Sequence, residues 1–544
     1  MEDLISDQTN SGDPMNNNDE ITQPLSDSPT YRLLGTTVLA YRYIIPHDAK
    51  VFVGDVVKIT DREKGYIFFA KVTDLSHYTN HDEPHWDTST WGGPQPGPDQ
   101  DVFIEVHATP LGFIDDKQKF RSIRTIPARF SEVMTPSADD FLFLKEVMGD
   151  IEVGEMRTGL GVIPDVKVGI PSKVLSQHMG VFATTGMGKS NFMKVFCISC
   201  MKQRTIGMLV VDPHGEYVEG RTERSGAQTR GLTDYLPGRD GLSIYSVRPK
   251  AECERFGMKE LCLEHDDFQI SDLGILYELS PLLWEIVESL DTFKGSDVID
   301  FFINEGVDSL PSVTKVTAGI GRHPEMADVL RSANPGPLRM IQRRIESLVQ
   351  SNQRFLGRLG SSIKSIIEEL NEQKLVLIDI PGMSERSELF ILSAITRKIL
   401  HDRENAVNAP HPDGIVREPS QVLIVIEEAQ RVLSAGGMST QVFRECAMEG
   451  RKFGVGLCAI TQQPKNIDSR ILAQMNTFVE MGLSDKDDRQ IIAGSAKQDL
   501  TPMDTEVQTL SKGEAVISTI GIPFPISTKI HLFQEYLDQL NRQE

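Results

Sequence analysis

The chain has 544 residues, 39% of them hydrophobic and 25% charged, with a formal net charge of -22. That length implies about three domains, and the acidity excludes a generally basic nucleic-acid coat, so any contact with DNA must be local, in a lined channel. No run approaches the roughly 18 apolar residues of a membrane span, the start Met-Glu-Asp-Leu-Ile-Ser-Asp lacks a secretory pattern, and six dispersed cysteines give no disulfide framework, which together lead us to expect a cytoplasmic protein.

Residues 1–30 carry seven Asp or Glu and no Lys or Arg, the composition of a disordered acidic tail. From Tyr31 the texture turns to short β-rich runs at Thr37 to Ile45, Val51 to Ile59, Tyr66 to Val72, Val102 to Ala108 and Phe120 to Ile126, which predict a small β-barrel over 31–135. Its largest insertion, 77–100, is rich in Pro and Gly. His77, His81 and His85 recur there every four residues, but Pro84 and Gly92-Gly93-Pro94 argue against the helix that would bring the rings together, so a solvated loop is expected. Ala138 to Val147 reads as a linker helix, and 151–170 as extended, glycine-marked runs.

Met179 to Val195 is the stretch that organises the chain. An apolar strand, Met179 to Ala183, enters a glycine-punctuated loop, and Lys189-Ser190 opens a helix, the context of a phosphate-binding loop. Gly186 and Gly188 let backbone N–H groups turn toward an anion, and the helix N-terminus adds partial positive charge. Lys189 is expected to reach the β- and γ-phosphates of ATP and Ser190 to hold Mg²⁺, with Thr185, Gly186, Met187, Gly188 and Asn191 completing the nucleotide cradle. Ala183 stands where the first glycine of G-x-x-x-x-G-K-[ST] is usual, at the strand end and away from the phosphates. Cys197 and Cys200 on the following helix read as buried small residues rather than zinc ligands.

A second buried strand, Gly207 to Val211, ends in Asp212-Pro213-His214-Gly215-Glu216-Tyr217, which points at the nucleotide crevice of a parallel sheet, although Asp212 alone also reads as a helix cap. Arg221, Arg224 and Arg230 follow it and, with the Gly436-Gly437 loop, are candidates for a DNA channel. After a third strand at Leu242 to Val247, helical periodicity dominates 251–370, at Ser280 to Leu290, Ser296 to Asn304, Leu338 to Val349 and Ser361 to Leu370. Sheet texture resumes at Lys374 to Ile380, Val422 to Ile426, Val455 to Ile460 and Thr477 to Met481, and an antiparallel pair follows at Glu514 to Thr519 and Ile526 to Phe533. The fold class is therefore α/β, a RecA-like doubly wound P-loop ATPase core. It divides into 136–250 and 371–520 around an α-helical insertion at 251–370, with the barrel before it and a C-terminal extension, 521–544, after it.

The later strands add the chemistry a phosphate loop needs. The strand ending in Asp379 has no second carboxylate and lacks a base, whereas Val422 to Ile426 runs into Glu427-Glu428, one acid for the Mg²⁺ shell and one to deprotonate water. Gln462, at the end of another strand, can sense the γ-phosphate by hydrogen bonding. Arg451 or Arg444 can reach a neighbouring subunit's phosphate, or can serve in surface ion pairs.

The blocks Ala-Thr-Thr-Gly-Met-Gly-Lys-Ser-Asn (183–191), Asp-Pro-His-Gly-Glu-Tyr (212–217), Ile-Glu-Glu-Ala-Gln (426–430), Glu-Gly-Arg-Lys-Phe-Gly-Val-Gly (449–456) and Thr-Gln-Gln-Pro-Lys (461–465), in this order and after a barrel, resemble the HerA family. The resemblance implies an FtsK-like homohexameric ring that uses ATP and Mg²⁺ to move on double-stranded DNA, with a partner nuclease or other effector on the barrel side, in DNA end processing or antiphage defence. By it Lys189 and Ser190 bind ATP and Mg²⁺, Glu427 and Glu428 are the acidic pair, Arg451 is a finger acting in trans and Gln462 the sensor. Where such proteins often carry Arg-His, Ala-His and an Arg after the sensor, this chain has Gln177-His178, Ala429-Gln430 and Gln463. An ATP-dependent assembly platform that regulates a bound effector without processive translocation is the alternative. A conjugation-type coupling ATPase would normally bring membrane helices.

Overall fold

The computed structural model describes residues 30–79, 102–218, 229–312, 326, 329–330, 333–357, 360–409, 419–435 and 441–542. The acidic tail, His81, His85, Arg221, Arg224 and the Gly436-Gly437 loop lie outside the described residues.

The N-terminal strands close on themselves. Around the sheet the order is Tyr41–Pro46, Tyr31–Thr36, Glu132–Met134, Val56–Asp61, Tyr66–Thr79 and Val102–Ile114, and the last pairs antiparallel with the first. Two-residue alternation buries Tyr41, Tyr43 and Ile45 while Arg42 and Pro46 face out, so each strand gives one face to the lumen. Phe68 and Phe113 stack inside at 5.2 Å. Two of these strands, Tyr31–Thr36 and Glu132–Met134, fall outside the predicted runs. Conversely, the predicted run from Thr37 opens as a turn held by the Thr37 hydroxyl, which accepts from the Ala40 N–H at 2.9 Å.

The second sheet has twelve strands. Its parallel part runs Lys259–Glu260, Leu242–Ser246, Leu375–Asp379, Gly207–Asp212, Val422–Ile426, Val455–Thr461, Met179–Ala183 and Thr477–Met481. Leu375–Asp379 and Val422–Ile426 are buried along their whole length, as strands covered on both faces of a parallel sheet are. Four antiparallel strands extend the edge in the order Glu514–Thr519, Ile526–Ile530, Ile151–Thr158 and Gly161–Ile170. The runs before the phosphate loop thus pair with the last strands of the chain, and Ile526–Ile530, within the expected extension, is a strand of the large sheet. The terminal helix Phe533–Arg542 packs on the helix Lys189–Gln203, where Ser199 Oγ meets the Tyr536 hydroxyl at 3.2 Å.

Ala138–Leu144 forms a 3-10 helix between barrel and core. The insertion is helical as expected, with Pro281–Leu290, Pro335–Ser351 and Ile363–Asn371. Its apolar stripe, including Val287, Ile341 and Ile345, shares one buried cluster with Leu209 and Ile424 of the sheet, so the insertion is one layer of the core. Barrel and sheet are tied by a buried ionic group in which Glu506, 3% exposed, pairs with Lys71 of the barrel at 3.0 Å and with Arg157 of the sheet edge, while Ser527 donates to the same carboxylate.

Candidate nucleotide site

Parallel strands place their C-terminal ends on one edge, and the loop strand Met179–Ala183 lies between Val455–Thr461 and Thr477–Met481. The segments after four strands therefore converge, namely the phosphate loop, Glu427-Glu428, Gln462 and Gly482. Thr184 Oγ1 donates to Gly482 O at 2.6 Å and Gly513 N–H to Met187 O at 3.0 Å, so both flanks of the loop are fixed to the sheet. Its centre is open. Gly186 has φ +86°, and a Cβ built there meets nothing within 4 Å. Gly188 has φ +103° and begins the 15-residue helix Lys189–Gln203, whose first N–H groups face the same space with Lys189 and Ser190. An open cradle of backbone donors with one lysine and one serine fits a nucleoside triphosphate.

Across the cradle stands Glu428. Its Oε1 is 3.6 Å from Lys189 Nζ, Gln430 Nε2 donates to its Oε2 at 2.8 Å, and Gln462 Nε2 approaches Oε1 at 3.5 Å. Thr185 of the loop donates to Gln462 Oε1 at 2.6 Å. Burial pushes the Glu428 carboxyl upward, but the Gln430 hydrogen bond and the charges of Lys189 and Arg431 outweigh it and hold it below the usual carboxylate range. Glu428 sits in the left-handed backbone region at φ +46°, a conformation that costs a non-glycine residue about 1 kcal/mol or more.

Glu427 has the opposite electrostatics. Burial raises its pKa, the Asp212 and Glu216 charges add to the rise, and the Tyr217 hydroxyl, donating at 2.9 Å, opposes it. Behind it Glu388 is pushed up to about 7, first by burial and then by the Glu427 charge. No group of three metal-ligating side chains forms among the described residues. A divalent cation here would need Ser190, Glu427 and the phosphates of a nucleotide together, and carboxylates burdened by one another's charge are consistent with that donor set.

Several expected residues serve other purposes. Asn191 does not face the cradle with its side chain, because Nδ2 donates to His531 O at 2.8 Å and Oδ1 accepts from Phe533 N at 2.9 Å, fastening the terminal helix. Arg230 is not free for DNA; it pairs with Asp538 at 2.7 Å and donates to Gln534 at 3.0 Å. Asp212 accepts from the N–H groups of His214, Glu216 and Tyr217, and because 213–218 form a turn and not a helix, it braces the loop at the strand end without capping a helix. Asp379 is fully buried against Arg248 and Ser246, as a strand end without a catalytic partner should be. Arg444 donates to Ser434 O at 3.1 Å. Cys197 and Cys200 are buried, free thiols.

Arg451 is placed differently. It is exposed, on the 3-10 turn Gly450–Phe453 that precedes the strand Val455–Thr461; its carbonyl accepts from the Gly454 N–H at 3.3 Å, and its side chain makes no hydrogen bond or ion pair among the described residues. That seven-residue strand separates Arg451 from Gln462 by about 20 Å, so the guanidinium lies at the edge opposite its own phosphate loop. The turn is seated by His178, whose Nδ1 accepts from Leu457 N–H at 3.0 Å. Burial drives the His178 pKa down to about 4, a hydrogen bond to the Ala447 backbone opposes this, and Arg451 adds to the depression, so the imidazole is a neutral pin.

Residues 151–399 match the family described as "Helicase HerA, central domain". Over 441 residues the chain is 24% identical to the DNA double-strand break repair helicase HerA of Pyrococcus furiosus, covering 75% of this chain and 74% of that one. To the protein of the same name from Sulfurisphaera tokodaii it is 25% identical over 402 residues, 70% of each chain. The bacterial conjugative coupling protein TrwB, in its unbound monoclinic form, superposes at a TM-score of 0.42 with 12% identity over 68% of this chain and 87% of that one. The central-domain match, the relatives spanning most of the chain and an open phosphate loop facing an acidic pair make this chain similar to the HerA helicases over most of its length.

Proposed function

We propose that this protein is an ATP-driven motor on double-stranded DNA, working as a homohexameric ring in DNA double-strand break processing or in defence, with a partner nuclease or other effector on the barrel side. The observation that carries the ring is the position of Arg451. It is exposed, and a strand's length from the only phosphate loop its own chain offers among the described residues. A guanidinium so placed serves a nucleotide held by the next protomer, and closed cyclic assembly repeats that interface until the ring is complete.

Within one site, the 184–190 backbone and Lys189 grip the phosphates, and Glu428 orients and deprotonates the attacking water. Gln462, already bonded to Thr185 of the loop, senses the γ-phosphate. Ser190 and Glu427 would hold Mg²⁺, which would supply positive charge to neutralise the phosphates. The partner's Arg451 stabilises charge developing in the transition state. The names of the HerA relatives support DNA as the track.

Duplex DNA is expected to raise ATP turnover several-fold or more at low salt, with the stimulation declining as salt rises because phosphate contacts release counterions. Phosphate release measured with and without duplex across a salt series checks this, and equal turnover in both arms rejects the DNA motor.

A further inference from the structure

The acidic pair is followed by an amide, and the structure gives that amide a partner on another strand. Gln430 Nε2 donates to Glu428 Oε2 at 2.8 Å, while Gln430 Oε1 accepts from the Thr461 hydroxyl at 2.6 Å. Thr461 is fully buried at the end of the strand Val455–Thr461, and its oxygen also accepts from Gln463 N–H at 2.9 Å. The other carboxylate oxygen is addressed from the loop side, by Lys189 at 3.6 Å and by Gln462 at 3.5 Å, and Gln462 is held by the exposed Thr185. One oxygen thus has a short bond to a half-buried amide that is itself held by the buried Thr461. The other has only long contacts to groups that must rearrange when phosphates enter the loop.

We propose that Gln430, anchored by Thr461, is a positioning residue that holds Glu428 Oε2 in place while Oε1 is free to take up the attacking water. A neutral amide suits this task, because it fixes direction without cancelling the charge Glu428 needs as a base. The tether also offsets the awkward backbone of Glu428, whose left-handed φ leaves the side chain's direction to its hydrogen bonds. This inference rests on the reading of Glu428 as the base and extends it to a residue whose amide bonds to Glu428 and Thr461.

The test is steady-state ATP hydrolysis and nucleotide binding by the full chain carrying Gln430→Ala, Thr461→Val, both together, or Glu428→Gln. Loss of one hydrogen bond to a charged group predicts a fall in kcat of about ten- to a hundredfold for Gln430→Ala, with KM and nucleotide affinity unchanged. Thr461→Val, which removes one hydroxyl and serves if Gln430→Ala does not fold, is expected to lower kcat in the same way. The double variant is expected to be no slower than Gln430→Ala, since both act through one tether. A kcat within twofold of the unaltered chain in the folded single variants, effects that multiply in the double variant, or a loss confined to KM overturns the proposal. If Glu428→Gln is inactive while Gln430→Ala is not, only the positioning role fails. If Glu428→Gln still turns over, the reading of Glu428 fails and the proposal with it.

Discussion

Glu428→Gln is expected to bind ATP as tightly as the unaltered chain and to hydrolyse it about 10²- to 10⁴-fold more slowly, the usual worth of a general base. The amide keeps the size of the carboxylate, and its one oxygen can still accept from Gln430, so the change is confined to the contacts on the Lys189 and Gln462 side, which are long already. What it loses is the proton acceptor. Two neighbouring acids are pushed apart here, Glu428 down by the Gln430 hydrogen bond and nearby cations against the pull of burial, and Glu427 up by burial and the charges of Asp212 and Glu216. Such a division suits the ionised member to the proposed base and the crowded one to the proposed cation ligand. Nucleotide titration beside phosphate-release kinetics separates binding from turnover; activity within tenfold of the unaltered chain would move the base elsewhere.

Removing Glu506 should have the largest effect on stability. Its carboxylate faces Lys71, 1% exposed, and Arg157, with Ser527 completing the group. Glu506→Ala leaves two cations buried at the barrel–core junction without their counter-charge, a class of change that costs about 3–5 kcal/mol. Burial pushes the Glu506 carboxyl up, but Lys71 and Arg157 overcome it and hold it below its ordinary 4.5. The sign of the linkage follows. The folded state keeps Glu506 ionised more readily than the unfolded chain, so its contribution is complete above about pH 4.5 and is lost as pH falls through the lower folded value. A thermal melt of Glu506→Ala at pH 7 should show a clearly lowered first transition, with the barrel cut earlier by protease. An unchanged melt would mean the cations find other partners.

The parts of this protein that are legible in sequence are those whose signal is contiguous. The strand, loop and helix of 179–203 read correctly because fifteen helical residues follow the glycines directly. The acidic pair stood out because it ends an unbroken apolar strand. Asp379 was separable from it by the missing second carboxylate, and the structure fills its place with Arg248. What stayed hidden depends on residues far apart. The strand Ile151–Thr158 finds its partner Ile526–Ile530 some 370 residues later, and antiparallel edge pairing leaves no local mark. Asn191 looked like a phosphate ligand by adjacency to Ser190, but the backbone at 531–533 claims its side chain. Arg230 was a candidate for the DNA channel by its place after the second strand, which does not foretell that the terminal helix supplies it with Asp538. Gln430 stands in the sequence as an amide two residues after Glu428, but its bond to Thr461 is visible only once that distant strand is brought beside it.

A nucleotide site completed between protomers is tested most directly by ATP turnover of co-expressed Glu428→Gln and Arg451→Ala chains in the presence of duplex DNA. Each variant alone makes rings in which every site lacks one group, and each should be inactive. In randomly mixed rings on the order of a quarter of interfaces join an intact Glu428 to a neighbour's intact Arg451, so turnover should return to roughly that fraction of the unaltered level. Mixed rings no more active than the two variants apart would contradict a guanidinium acting across the interface.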